Sequence, residues 1–147
     1  MHDASGEVKT TSPETRTIAG VTLLTVPSIQ YGGYFLLKSL MDRGSAYMDN
    51  QLRQNFFRAG HAHAGVFVPL SLVCQMLADS ATLPPALPWL VRLGVPAAAI
   101  SLPLGFFVSV ARPNETVPNH AVWLIYLGAL LLAVSVLTLG VGLLRTA

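Results

Sequence analysis

The chain has 147 residues, of which 52% are hydrophobic and only 11% are charged, and its mean hydropathy is +0.56. A soluble domain carries about 25% charged residues, so this composition excludes an ordinary soluble domain and is typical of a membrane protein. The net charge of +2 is too small for a basic nucleic-acid-binding surface, and we expect no nucleic-acid partner.

The first 16 residues differ in character from the rest of the chain. Segment 1–16, MHDASGEVKTTSPETR, is polar and lacks the basic stretch and apolar core of a signal peptide. We expect it to be a disordered tail. Residues 17–147 are then predicted to form a single transmembrane domain.

Four long apolar segments follow the tail. Each is long enough to cross a hydrocarbon core of about 30 Å as a helix, which satisfies its own backbone polar groups there. The predicted spans are about 18–40, 55–78, 87–111 and 120–144. The last segment has no polar face, which argues against a soluble helical bundle. The predicted fold class is therefore an all-α integral membrane four-helix bundle, a multi-pass protein of the cell (plasma) membrane.

A few residue types inside these spans carry structural predictions of their own. Prolines predict kinks, which membrane helices tolerate. They are Pro27, Pro69, Pro96 and Pro103. The single cysteine, Cys74, cannot form an intrachain disulfide and is expected to pack as a small hydrophobic residue.

The polar residues of the spans collect at one end of the predicted bundle. Up-and-down connection of the four spans places the end of the first, the start of the second, the end of the third and the start of the fourth together. The residues brought to this end are Tyr34, Lys38, Asp42, Arg58, His61, His63, Arg112, Asn114, Glu115 and His120. The opposite end holds Asp79, Arg92 and little else, so we expect any functional site at the histidine end.

The first span carries a polar stripe at helical spacing. Its members are Pro27, Gln30, Tyr31, Tyr34 and Lys38. Polar groups at membrane depth face protein or a wet cavity rather than lipid. The stripe therefore predicts either hydrogen bonds between helices or the lining of a pocket.

The segment FFRAGHAHAGVF, residues 56–67, places two histidines at the start of the second span. On an α-helix, the side chains of His61 and His63 point about 200° apart, so they cannot bind one metal ion as a simple pair. At most one of them faces any given pocket. A non-haem metal held by one of them with His120 and Glu115 stays open as an alternative, because histidine and carboxylate ligands suit zinc or iron.

Small residues surround both rings. They are Ala59, Gly60, Ala62, Ala64 and Gly65. They allow close helix packing, or they leave room for a flat cofactor beside an imidazole. Haem is the obvious cofactor, since a neutral histidine nitrogen ligates its iron, and Arg58 is placed to neutralise a propionate.

Two segments resemble the styrene oxide isomerase family, to which the hydroxylaminobenzene mutases are related. RAGHAHAG, residues 58–65, resembles the start of that family's second helix, and GFFVSVARPN, residues 105–114, resembles the end of its third. Four spans, the chain length and the long first loop agree. Matching AHAG to the family segment implies His63 as the axial ligand of the iron and makes His61 an additional histidine that the family motif lacks. His61 stays the alternative ligand, and Arg58 and Gly65 are the further candidates for cofactor binding.

The resemblance also implies a function. It implies a homotrimer with haem b at subunit interfaces. Its ferric iron would act as a Lewis acid that takes the oxygen of a small apolar epoxide and promotes rearrangement to an aldehyde.

The chain departs from the family at two positions. Pro69 stands where the family has a pocket asparagine, and Phe107 stands where it has a catalytic tyrosine. Tyr31 and Tyr34 are the candidates to replace these groups. Three hypotheses follow: a haem-dependent membrane isomerase, a haem-binding membrane protein without isomerase activity, and an accessory membrane protein without a cofactor.

Overall fold

The computed structural model describes residues 11–42, 44 and 47–146. Its helices are α1 (Pro13–Leu24), α2 (Val26–Met41), α3 (Gln51–Ala78), α4 (Leu87–Ser109) and α5 (Trp123–Leu144), with a 3-10 turn at His120–Val122. The described residues contain no β-strand. The predicted all-α fold class, a helical membrane bundle, is confirmed.

Three helical segments in the described part of the chain are long and apolar enough to cross a membrane. They are α3 with 28 residues, α4 with 23, and the 3-10 turn with α5, His120–Leu144, with 25. The first predicted span, residues 18–40, is not one continuous helix. It is divided into α1, with 12 residues, and α2, with 16, and neither alone reaches the length that a membrane crossing needs.

The division lies at Thr25, two residues before Pro27. Proline has no backbone N–H to donate, and its ring crowds the carbonyl one turn earlier. The Thr25 hydroxyl donates instead to the Thr22 carbonyl at 2.7 Å, and the Ser28 hydroxyl donates to the Thr25 carbonyl at 2.6 Å. The kink predicted at Pro27 is thus a break with its own local hydrogen bonds, whereas α3 and α4 continue through their prolines.

Residues 13–16, predicted to belong to a disordered tail, are the first turn of α1. Ser12 caps α1 by accepting a hydrogen bond from the Thr15 amide at 3.2 Å, and Pro13 occupies the first turn. Helix α1 therefore begins four residues before the predicted domain boundary. Residues 1–10 of the predicted tail lie outside the described residues.

Small residues let α4 and α5 pack closely as antiparallel helices. The facing pairs are Gly94 with Ser135, Ser101 with Gly128, and Gly105 with Ile125. A Cβ atom on Gly128 would lie 2.7 Å from Cγ of Leu102, so only glycine fits there. Close approach of backbones through small residues is the usual way in which membrane helices associate.

A buried ion pair joins three helices at the end of the bundle opposite the histidines. Arg92 donates to Asp79 Oδ1 at 2.6 Å and also to the Thr15 hydroxyl, and the Gln75 amide donates to the Arg92 carbonyl at 2.7 Å. Burial of the Asp79 carboxyl acts to raise its pKa, but the Arg92 guanidinium and hydrogen bonds from Ser12 and Thr15 outweigh it and lower the pKa to about 2. The pair fixes α1 to α3 and α4.

Candidate functional site

The loop before α3 and the loop after α4 meet at the histidine end of the bundle. The Asn50 amide donates to the carbonyls of Pro113 and Glu115, both at 2.8 Å, and Arg53 donates to the Ala111 carbonyl at 3.2 Å. These bonds tie the start of α3 to the segment after α4. This junction lies at the same end of α3 as the candidate ligands His61 and His63.

Aromatic residues form a layer just inside these loops. All six phenylalanines of the chain belong to it: Phe35, Phe56, Phe57, Phe67, Phe106 and Phe107. Phe57 and Phe107 pack edge to face with ring centroids 5.3 Å apart. A Cβ atom on Gly60 would lie 3.0 Å from Cβ of Phe106, so this glycine lets α3 approach α4 within the layer.

His63 belongs to the aromatic layer on the side of α4. Its ring stacks on Phe106 at a centroid distance of 5.0 Å and meets the edge of Phe67 at 5.3 Å. Its Nδ1 lies 2.7 Å from the Ala59 carbonyl oxygen, which can only accept. Nδ1 therefore carries the proton, and in the neutral ring Nε2 keeps its lone pair.

His61 points to the other side of α3, towards α2. Its Nε2 and Nδ1 lie 3.2 Å and 3.4 Å from where Cβ atoms on Gly33 and Gly32 would be, so the ring packs against bare backbone. The imidazole has no hydrogen-bond partner among residues 11–42, 44 and 47–146. The predicted divergence of the two histidines is confirmed.

A cleft of about 410 Å³ opens beside His61, between α2 and α4. It exists because α2 packs against α1 and α3 but brings no Cα atom within 8 Å of one in α4. The break at Thr25 directs α2 away from α4, whereas α1 still contacts it. The lining residues are Thr25, Ser28, Ile29, Gly32, His61, Ala64, Val68, Ala99, Ile100, Pro103, Leu104 and Phe107.

The tyrosines of the polar stripe do not reach the cleft. The side chains of Tyr31 and Tyr34 are 69% and 59% exposed, with ring centroids 6.4 Å apart. They border shallow surface depressions together with Lys38 and Asp42. The stripe therefore faces outward. Among the described residues of a single chain, it neither lines the cleft nor forms hydrogen bonds between helices.

The remaining candidates for cofactor binding lie on the outward face of α3. Arg58 is exposed and donates to the Gln54 side chain at 3.3 Å. Gly65 is exposed, and a Cβ atom there would meet nothing within 4 Å. Ala62 and Pro69 are exposed on the same face, so a flat strip of small residues runs from Arg58 between the two histidines.

The non-haem metal alternative lacks its ligand set. No group of three or more histidine, cysteine, aspartate or glutamate side chains in the described part of the chain is arranged to hold a metal ion. His61 and His63 face opposite sides of α3, and His120 is exposed in the 3-10 turn. Within the described residues, neither histidine forms such a group with His120 and Glu115.

Two features of the structure were absent from the sequence-based predictions. The first is the cleft. The only sequence feature that could have indicated it is the pair Thr25 and Ser28, on either side of Pro27. The second is the network around Arg92, for which an arginine and an aspartate at the ends of adjacent spans were the signal. Phe107, which stands where the resembled family has a catalytic tyrosine, lines the cleft. Pro69, which stands where that family has a pocket asparagine, is exposed.

Comparison of the chain with protein-family models, with curated proteins and with solved structures found no match in any of the three. The resemblance to styrene oxide isomerases accordingly rests on the two segments quoted above and stays a prediction.

Proposed function

We propose that this chain is a haem b-binding protein of the plasma membrane, with His63 as the axial ligand of the iron. The observation that carries the proposal is the hydrogen bond from His63 Nδ1 to the Ala59 carbonyl at 2.7 Å. Histidines that bind metals usually donate their other ring nitrogen to a carbonyl or carboxylate, which fixes the tautomer and leaves the ligating nitrogen free. His61, whose ring makes no such bond, is the alternative ligand.

The residues around His63 fit a haem group. Stacking on Phe106 and contact with Phe67 limit rotation of the imidazole. The strip of small residues through Ala62 and Gly65 offers a flat apolar surface. Arg58, at the polar end of this strip, would pair with a propionate, as charge-assisted bonds between arginine and carboxylates do.

We further propose that the protein isomerises a small apolar epoxide-type substrate to an aldehyde. Ferric iron would supply Lewis acidity towards the epoxide oxygen. The chain's own contribution would be to hold the imidazole in one tautomer and to exclude water with the phenylalanine layer.

A second candidate, haem binding without isomerase activity, is favoured by the apolar character of the site. Phe107 and Pro69 supply no hydrogen bond where the family carries tyrosine and asparagine. Tyr31 and Tyr34 face outward and reach neither histidine within one chain.

We also propose that the protein is a homo-oligomer, a trimer by the resemblance. The outward stripe on α2 supports this proposal, because Gln30 and the two tyrosines are exposed on a helix that packs against α3, a candidate membrane span. Polar groups in that position are expected to contact protein rather than lipid.

Absorbance spectroscopy tests the haem proposal. The protein is expressed with haem supplied and purified in dodecyl maltoside, and a Soret band is expected for wild type and for His61→Ala but not for His63→Ala. Circular dichroism checks that each variant is folded. A Soret band retained in His63→Ala and lost in His61→Ala would move the ligand to His61, and its absence from folded wild type would leave only the accessory-protein hypothesis.

Activity separates the two haem hypotheses. Haem-loaded protein is incubated with styrene oxide, and the formation of phenylacetaldehyde is followed by gas chromatography. Turnover that His63→Ala lacks supports the isomerase. A haem-loaded wild type that produces no aldehyde above free haemin argues for the second candidate.

A further inference from the structure

We infer that the cleft beside His61 is a binding site for a small apolar molecule that carries one hydrogen-bonding oxygen and comes from the bilayer. The site lies on the opposite side of α3 from His63. The inference therefore does not depend on haem binding.

The cleft has the size and lining of a ligand site. Its volume of about 410 Å³ lies within the range of about 300–1,000 Å³ in which small-molecule sites fall. Its walls are mainly apolar side chains such as Ile29, Val68 and Ile100. An adjoining lobe of about 220 Å³ extends it along α1 and is also almost wholly apolar.

His61 is the side chain in this lining whose hydrogen-bond donor is unused. The hydroxyls of Thr25 and Ser28 already donate to backbone carbonyls at the α1–α2 break. The imidazole of His61 makes no hydrogen bond to any residue that the structure describes. An ionisable side chain at membrane depth is rarely left without a partner, so a ligand group in the cleft is the natural partner.

The chemistry of the lining defines the ligand class. A neutral imidazole offers one donor and one acceptor, so it recognises a hydroxyl, a carbonyl or an ether-type oxygen. The lining residues include no lysine, arginine, aspartate or glutamate, and a charged ligand would therefore be desolvated without compensation. The ligand is thus a neutral molecule with one polar atom.

The route of access is lateral. Ile100 and Leu104, on the α4 side of the cleft, are 61% and 45% exposed, and α2 leaves them uncovered. This opening lies along the apolar length of the helices rather than at the loops. A ligand that partitions into hydrocarbon reaches His61 without crossing the loop layer that Asn50 ties together.

Fluorine NMR with a matched pair of probes tests the inference. The protein is purified in lipid nanodiscs, and saturation-transfer titrations measure the binding of 4-fluorophenol and of fluorobenzene, which differ by one hydroxyl. Wild type is expected to bind 4-fluorophenol about three- to tenfold more tightly, the ratio that one net hydrogen bond confers. His61→Phe should bind both probes about equally, whereas His61→Gln, which keeps a donor and an acceptor, should retain the preference.

Two further variants locate the binding. Ala64 lines the cleft, and Ala64→Phe should reduce the binding of both probes to the level of empty nanodiscs. Ala129 is exposed on α5, and Ala129→Phe is the matched control that should bind both probes like wild type. Equal affinity for the two probes in folded wild type, or a preference that survives both His61→Phe and Ala64→Phe, would overturn the inference.

Discussion

The imidazole of His61 packs against the backbone of Gly33, with Nε2 3.2 Å from the position that a Cβ atom would occupy. The neighbouring Gly32 stands in the same relation to Nδ1, at 3.4 Å. Two consecutive glycines on α2 thus make room for one ring on α3. The placement of His61 at the edge of the cleft depends on this missing volume.

A larger side chain at Gly33 is expected to displace His61. In Gly33→Leu the new side chain would occupy the space of the ring, and the preference for 4-fluorophenol over fluorobenzene should fall close to one. Gly20→Leu is the control, because a Cβ atom at Gly20 meets nothing within 4 Å. The titration described above measures both, and an unchanged preference in Gly33→Leu would show that His61 does not act from this position.

Removing one partner of the Arg92–Asp79 pair is expected to destabilise the protein strongly. The two side chains are only 10% and 14% exposed, and a buried charge left without its partner costs about 3–5 kcal/mol. Arg92→Met should therefore lower the free energy of unfolding far more than Arg145→Met, which changes an exposed arginine at the end of α5.

The double variant provides the check on this assignment. Arg92→Met combined with Asp79→Leu should be less destabilised than the sum of the two single variants, because no charge is then left unpaired. Denaturant titrations in detergent, followed by circular dichroism, measure the cycle. Strict additivity would contradict direct coupling of the two side chains.

The lowered pKa of Asp79 predicts a loss of stability in acid. The folded-state pKa is about 2, below the ordinary value of 3.8, so the carboxylate stabilises the fold above pH 3.8. This contribution is lost as the pH falls from 3.8 through 2. The difference in midpoint of thermal unfolding between wild type and Asp79→Asn should be constant above about pH 5 and should shrink below pH 4. A difference that keeps its size down to pH 2 would be incompatible with the lowered pKa.

The α4–α5 contact is expected to tolerate no added methyl group at Gly128. A Cβ atom there would lie 2.6 Å from the Ser101 hydroxyl and 3.0 Å from the Leu102 backbone nitrogen, and the backbone cannot move aside cheaply. Gly128→Ala should therefore cost about 1–3 kcal/mol, as overpacking in tight cores does. Gly140→Ala, where nothing lies within 4 Å, should be neutral or stabilising. Thermal unfolding in detergent compares them, and equal midpoints would rule out a close contact at Gly128.

Much of the architecture could be predicted from local properties of the sequence. Apolar length predicts α3, α4 and α5, because a helix is the structure that satisfies backbone groups within lipid. The fixed rotation per residue predicts that His61 and His63 diverge on α3. The tight core position of Cys74, which is 3% exposed, also follows from its apolar surroundings in sequence.

What the sequence by itself determined about this protein is therefore the helical membrane class, the end of the bundle that carries the histidines, and their opposed directions. These follow from apolar length, from the up-and-down connection of consecutive spans and from helical periodicity. Only the tertiary structure decided that Pro27 splits the first span, that α2 leaves a cleft beside His61, and that Tyr31 and Tyr34 face outward. These features depend on how α1 and α2, the two parts of the first predicted span, pack against the other helices. That packing is set by contacts between residues far apart in sequence, such as Arg92 with Asp79 and Thr15, which no local pattern encodes.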